Sequence, residues 1–376
     1  MEIEGVADLP LHYGRVPRWL IPIMRRLASA ILDIMVLELG PERTLERFAN
    51  PLWFQAFNNV IGMDWDSSGS TTVTTGILKS VLKPREHGLA VLGGKGLSSR
   101  KVPEELNSLS GVLDIDPGRL VRVSRLAAKV DTTLLQDGHT LYHHSLFVTR
   151  GGKWAVIQQG MNVSTGFARR YHWLDREDLN MTVEPHKAIA GVKGEAVNAL
   201  AAECEGLRRV VVDLLSEDPS KILEQYNVLV HRGGLDTWIS GATIAGISKA
   251  DRLAYYRPID VDKVTSVLKR VRESHPRNIE EALLAGLGPS SALALYLISD
   301  LIYSEPPSFE DPVTTPYDPF RYAYAIGGKD GIPYPVDPRV AKQVLRALGE
   351  YIEKAKLESK EKNLALARLM RLGAKE

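Results

Sequence analysis

The stretch KVDTTLLQDGHTLYHHSLFVTRGGKWAVIQQGMNVSTGFARRYHW, residues 129–173, gathers Lys129, Asp131, Gln136, Asp137, His143, His144, Gln158, Gln159, Arg169, Arg170, Tyr171 and His172 around two short apolar runs. The runs His139–Thr149 and Trp154–Gln159 alternate as strands do, and Gly151 and Gly152 between them supply the φ > 0 turn of a hairpin. Upstream, Arg119, Arg122, Arg125, Lys129 and Gln136 recur at helical spacings, which places them along one side of a helix running into that hairpin. Taken singly, such residues usually make a solvated helix face and a polar ribbon. Their convergence points instead to a binding or catalytic pocket. An enzymatic reading requires Lys129, Asp131, Asp137, His143, Gln159 and Arg170 to share one solvent-reachable cleft.

The length of 376 residues exceeds the usual single domain and predicts two: an α/β region with the polar pocket over 1–180 and a helical region over 181–376. Hydrophobic content of 44% with 25% charged residues is ordinary for a globular protein. The longest apolar run, Trp19–Leu39, is interrupted by Arg25, Arg26 and Asp33, so no membrane span is expected. One cysteine, Cys204, can form neither an internal disulfide nor a cysteine-rich metal site, and a reducing cytoplasm is the expected location. A net charge of +1 excludes a uniformly basic nucleic-acid coat while leaving local basic patches open.

In chain order, Pro17–Leu39 and Glu42–Ile61 read as amphipathic helices separated by Gly40 and Pro41. Trp53, Phe54 and Phe57 at helical spacing read as core. Residues 64–69, DWDSSG, imitate the start of a calcium loop, but Thr75 stands where a bidentate glutamate belongs. Asp64, Asp66, Ser67 and Ser68 therefore cap a helix beginning near Ser70 or add carboxylates to the pocket. Gly88–Leu92 reads as a strand delivering the chain into a glycine-rich loop with Lys95, Arg100 and Lys101, a cradle for the phosphates of a nucleic-acid backbone or a flexible basic turn. Walker spacing is absent from it. Val192–Leu215, Pro219–Val230, Asp260–Glu273 and the charged stretch from Pro338 read as helical, and His231–Arg257 shows no clear period.

A second signal lies at about 279–303. Ile279, Ala282 and Leu283 form an apolar side, Gly286, Leu287 and Gly288 make a tight turn, and Pro289 opens a helix with Ala292, Leu295, Tyr296 and Ile298 facing inwards. That is the pattern of a helix-hairpin-helix motif, in which glycines let the backbone approach a phosphate and helix N-terminal amides, here including that of Ser290, donate to it. A plain helical hairpin tolerates the same residues.

Several unbroken strings, among them WFQA (53–56), DWDSSG (64–69), GGKG (93–96), KVD (129–131), YHH (142–144), QQGMN (158–162), ARRYHW (168–173) and GGKDG (327–331), resemble an archaeal and bacterial family catalogued as domain of unknown function family 763. That resemblance covers nearly the whole chain and brings no activity with it. The 279–303 segment also resembles the corresponding part of base-excision DNA glycosylases, in which a catalytic aspartate follows the hairpin and bifunctional members carry a lysine inside the second helix. Asp311 falls near the aspartate position, and Ser290 occupies the lysine position.

The expectation is a mixed α/β protein, predominantly helical, with a small β-ribbon or sheet in its N-terminal region and a helix-hairpin-helix in its C-terminal region. Its expected activity is DNA processing or repair by a hydrolase, either nuclease or glycosylase. In one mechanism Asp131 and Asp137 hold a divalent ion, Mg or Mn, that activates water, while Lys129, Arg169 and Arg170 offset phosphate charge. In the other, Gln158, Gln159 and Tyr171 hold a flipped base and Asp311 activates water. His143 and Gln159 complete the catalytic candidates. Lys95, Arg100, Lys101, Arg122, Arg125, Arg169, Gly286, Gly288 and Ser290 are the expected DNA contacts. The alternative is a non-catalytic DNA- or RNA-binding protein in which the same residues build a polar core.

Overall fold

A computed structural model describes residues 16, 18–63, 69–231, 255–256, 259–314 and 338–373. The DWDSSG string up to Ser68, most of the aperiodic stretch and the GGKDG string lie outside the described residues. The protein is predominantly helical around one small antiparallel sheet, a mixed α/β architecture.

The span α1 (Leu20–Ala49) is two helical segments that meet at Gly40, whose non-helical φ of 78° and ψ of 168° break the helix where Gly40 and Pro41 were expected to, in a conformation that no residue with a Cβ adopts readily. The second segment ends at Asn50, whose side chain accepts from the amides of Leu52 (2.9 Å) and Trp53 (3.3 Å), so α2 (Pro51–Ile61) starts afresh with proline at its first position. The single helix expected from Glu42 to Ile61 is thus two, divided by an asparagine cap. After α3 (Gly69–Val81) and α4 (Pro84–His87), strand β1 spans Leu89–Lys95. Gly93 and Gly94 are therefore strand residues, and Gly96–Lys101 forms a 3-10 turn before α5 (Val102–Leu109).

The arginine-bearing helix is α6 (Pro117–Lys129), capped by Asp116 through the Arg119 amide and extended by one π turn, Val130–Leu134, into the two-residue strand β2 (Leu135–Gln136). Then come β3 (Thr140–Thr149), β4 (Trp154–Asn162), β5 (Phe167–Leu174), β6 (His186–Ala190) and β7 (Val197–Asn198). The five-stranded sheet has the order β1-β3-β4-β5-β6 with every pairing antiparallel, and β2 pairs separately with β7. The β3–β4 turn uses Gly152 at φ 76°. Helix α7 begins only at Glu205 and runs to Ser216, because the residues before it supply β7; α8 is Pro219–His231 and α9 is Val261–Glu273. Then follow α10 (Ile279–Ala285), α11 (Pro289–Tyr303), α12 (Pro338–Lys354) and α13 (Ser359–Gly373).

Period-two alternation gives the sheet two apolar faces. On the first, Leu89, Val91, Phe147, Ala155 and Ile157 pack with α1, α2 and α3 and with Leu348, Ile352 and Leu369 of the last two helices. On the second, Ala90, Leu92, Leu146, Val148, Trp154, Val156, Tyr171 and Trp173 pack with α5, α6, α7 and α11. Trp53, Phe54 and Phe57 are core residues of the first side, and Phe57 meets Phe48 edge-on at 5.1 Å. Each large side chain so buried contributes about 1.5–3 kcal/mol. With both faces covered, any polar group on a central strand must find its partner inside the protein.

Candidate functional site

Strand register sorts the polar residues of the central stretch. Lys95, His143, Gln159 and Arg170 stand opposite one another in one row across β1, β3, β4 and β5, while Gly94, His144, Gln158 and Tyr171 form the next row. Adjacent rows project to opposite faces. His143, Gln159 and Arg170 therefore face α2 and α3, whereas Asp131, Asp137, His144, Gln158 and Arg169 lie on the other side. The sheet separates the six residues that a single catalytic cleft would have to unite.

On the first face, His143 Nε2 lies 3.1 Å from Thr75 Oγ1 and 2.9 Å from Ser145 Oγ. Burial pushes its imidazole down to about 3, with His144 and Lys95 adding to the effect. Arg170 donates to Thr71 Oγ1 (3.2 Å) and Gln55 Oε1 (3.3 Å) with its guanidinium 4.6 Å above the Phe54 ring. Burial and then the Arg170 charge hold His172 well below the usual histidine range. Gln159 Nε2 donates to Tyr142 Oη at 2.7 Å.

Two networks occupy the second face. Fully buried Asp131 accepts from Gln158 Nε2 (2.5 Å), Trp173 Nε1 (2.9 Å) and His186 Nε2 (2.6 Å). Gln158 Oε1 meets His144 Nδ1 at 2.8 Å, and His144 Nε2 reaches Ser124 Oγ on α6, also at 2.8 Å. Burial lowers the His144 pKa against the opposing pull of Gln158 and Asp131. The second network is centred on Arg169, which is 1% exposed. Its Nη1 donates to Asp137 Oδ2 (2.7 Å) and Asp311 Oδ1 (3.0 Å), and its Nη2 to Asp311 Oδ2 and the Val192 carbonyl (both 2.6 Å). Tyr171 Oη also donates to Asp137 Oδ2, at 2.7 Å. Burial would push the Asp137 carboxyl up, but the Arg169 charge and the bonds from His139 and Tyr171 outweigh it and hold the group well below the usual carboxylate range. Asp131 and Asp137 thus spend their oxygens on different partners. Among the described residues no group of three or more His, Cys, Asp or Glu could hold a metal ion.

Of the expected nucleic-acid contacts, Arg169 is buried and its guanidinium is taken up by Asp137 and Asp311, so it does not reach a phosphate backbone; the others fall into two places. Lys95, Arg100 and Lys101 are exposed at the end of β1 and on the 3-10 turn, with Lys95 Nζ 5.7 Å above the Tyr142 ring. The nearby Gly93 amide is not free for an anion, since it donates to Glu105 Oε2 at 2.8 Å. On α6, Arg122 pairs with Glu280 at the start of α10 (3.2 Å) and Arg125 is exposed; the far end of α10 leads into the turn before α11. In that turn Gly286 has a φ of 112°, Leu287 is fully buried, and Gly288 (φ −120°, ψ 171°) starts α11 without any side-chain cap. Two cations flank it: Lys129 Nζ donates to the Leu287 carbonyl (3.3 Å) and Arg270 Nη2 to the Gly286 carbonyl (3.4 Å). Burial, and then the Arg270 charge, lower the Lys129 pKa. Among the described residues neither cation makes an ion pair.

Beside this turn opens a cleft of about 380 Å³ lined by Gln136, His139, Thr140, Glu195, Tyr255 and Leu293, with Asp137 and Pro289 also in its wall. Gln136 ties wall to turn by donating to the Pro289 carbonyl at 3.1 Å. Sequence reading missed His139, His186 and Arg270. Only His139 carried a local signal, the Asp137-Gly138-His139 string, in which an aspartate side chain accepts from the amide two residues on.

No curated protein and no solved structure matches the chain. Residues 5–336 match a family whose description is protein of unknown function (DUF763), so the chain belongs to that family.

Proposed function

We propose that this protein binds DNA through its phosphate backbone at the Gly286–Gly288 turn, used as a helix-hairpin-helix, and processes the bound strand hydrolytically in the neighbouring cleft. The observation that carries this reading is the uncapped N-terminus of α11 flanked by Lys129 and Arg270, two cations that make no ion pair among the described residues. The first amides of a helix have no intrahelical acceptor, and a half-buried lysine beside an arginine is stabilised by an incoming anion. A phosphate oxygen answers both needs at once. Contacts of this kind fix the position of a duplex without reading its bases, so affinity should be insensitive to sequence. The adjacent cleft supports a processing role over a purely scaffolding one, being large enough for a nucleotide-sized group.

The test exploits a difference between the two glycines. A Cβ on Gly286 would lie 2.7 Å from Arg270 Nη2 and require a positive φ, whereas a Cβ on Gly288 meets nothing within 4 Å among the described residues and its backbone is extended. Gly288→Val therefore keeps the fold and places its methyls where the phosphate must come. Losing one or two charge-assisted bonds of about 1.5–3 kcal/mol predicts at least tenfold weaker binding of every duplex at one fixed salt concentration. The Ser290→Ala variant should bind within twofold of the parent. A folded Gly288→Val protein that binds as the parent does removes the nucleic-acid reading, and equal or better binding of RNA moves it away from DNA.

A further inference from the structure

We infer that His139 is the proton-accepting residue of the cleft, held in one tautomer by Asp137, and that it activates water to hydrolyse a phosphodiester bond of the strand bound at the hairpin. The inference rests on the DNA-binding reading and adds to it a reacting group. His139 Nδ1 lies 3.0 Å from the Asp137 carbonyl and 3.2 Å from Asp137 Oδ1. Both neighbours can only accept, so in the neutral ring Nδ1 carries the hydrogen and Nε2 presents its lone pair. Among the described residues Nε2 has no hydrogen-bond partner, and the ring lines the cleft.

The surroundings fix this arrangement from three sides. Asp137 also accepts from Arg169 and Tyr171, so it stays ionised and orients the imidazole without taking its proton. The His139 amide donates to the same Asp137 oxygen at 3.0 Å, which closes a turn that ties ring and carboxylate together. Behind the ring stands Gly160 of β4, where a Cβ would come 2.8 Å from the His139 Cβ, so the glycine leaves the room that the histidine fills. Among the described residues, the titratable groups facing the cleft besides His139 are Glu195, Tyr255 and Asp137. Asp131, His143 and His144 are buried in other networks and do not line this cleft.

In the step, the water oxygen bonds to phosphorus while one water proton passes to Nε2, and the second remains on the new phosphate oxygen. The bond from phosphorus to the leaving sugar oxygen breaks, that oxygen takes a proton from solvent, and the imidazolium returns its proton to solvent. One phosphodiester and one water give one phosphomonoester and one alcohol.

End-labelled duplex, single-stranded, branched and abasic-site DNAs test this by gel, with binding followed separately by fluorescence anisotropy. The parent should cleave at least one substrate. His139→Ala should lower cleavage about 100-fold or more, as loss of a general base does, with affinity within twofold. Added imidazole should restore part of the lost rate to His139→Ala, which a purely structural histidine would not permit. Thr140→Trp, filling the cleft from an exposed position, should also block cleavage while sparing binding, and it serves if His139→Ala proves unstable in a thermal melt. Undiminished cleavage by His139→Ala, or tight binding by a parent that cleaves none of the four, overturns this inference and leaves the hairpin reading standing. Breaks that appear only after alkali would signal base removal and also overturn it. Absence of binding overturns both.

Discussion

Acidification should unfold this protein through its buried neutral histidines, and His143 allows the effect to be isolated. The imidazole is 1% exposed and bonded through Nε2 to two hydroxyls, and burial pushes its pKa from 6.5 down to about 3. The folded state therefore excludes a proton that the unfolded chain binds readily, so His143 contributes full stability above pH 6.5 and loses it progressively as pH falls from 6.5 towards 3. Between pH 7.5 and 4.5 the unfolded chain gains about two decades of protonation at roughly 1.4 kcal/mol each, which makes the contribution of this residue about 3 kcal/mol. His143→Gln keeps a polar group for Thr75 and Ser145 but cannot titrate. Urea unfolding of parent and variant at pH 7.5 and 4.5 gives the comparison. The variant should lose about 3 kcal/mol less than the parent over that interval, while His144 and His172, common to both proteins, cancel. Equal losses would mean that His143 is protonated in the fold, and the account of the first face would fail.

Arg169→Met should be the most damaging single change on the second face. It leaves the Asp137 and Asp311 carboxylates buried without their shared cation, at a cost of about 3–5 kcal/mol, and adding Asp137→Asn and Asp311→Asn should recover more than half of that in denaturant titrations. Replacing Lys95, Arg100 and Lys101 together with alanine should leave thermal stability unchanged, because all three are exposed, and should reduce the slope of log affinity against log salt by about 0.9 for each phosphate that is no longer neutralised. An unchanged slope would assign that patch no part in nucleic-acid binding.

The parts of the fold that sequence made visible are those with one local period. The β3–β4 hairpin is legible from its alternation and the Gly151, Gly152 turn, and counting back from the Val148–Trp154 pair already sets His143 against Gln159 and His144 against Gln158. The alternation of the hairpin alone thus puts the two rows on opposite faces. Strand β5 was hidden because Arg169, Arg170 and His172 put polar groups at both parities, which erases the alternation of a strand buried on two sides. The partners of Asp131 come from β4, β5 and β6, and those of Arg169 from segments as distant as Asp311. No local pattern encodes such meetings. Arg270 and Lys129 converge on the turn only because α6, α9 and α10 pack together, so the cationic surround of the hairpin was equally invisible.

Adjacent arginines on β5 raise the question of what prevents that strand from shifting by one residue, since a shift would carry Arg170 towards Asp137 and Arg169 towards α2 and α3. A guanidinium would still meet the carboxylates, so the arginine pair cannot by itself specify register. The residues that follow can. After the same shift His172 would stand in place of Tyr171, withdrawing the phenol that donates to Asp137 at 2.7 Å, and Trp173 would turn to the first face, withdrawing the indole that donates to Asp131 at 2.9 Å. Each loss leaves a buried carboxylate short of a donor, at about 1–3 kcal/mol or more apiece for a charged group. Trp173 would also leave the second-face core for the site of His172, which packs edge-on against Phe54 at 5.8 Å. The aromatic donors, more than the charges beside them, decide which face of the sheet each arginine meets, and through Asp137 they decide where His139 points.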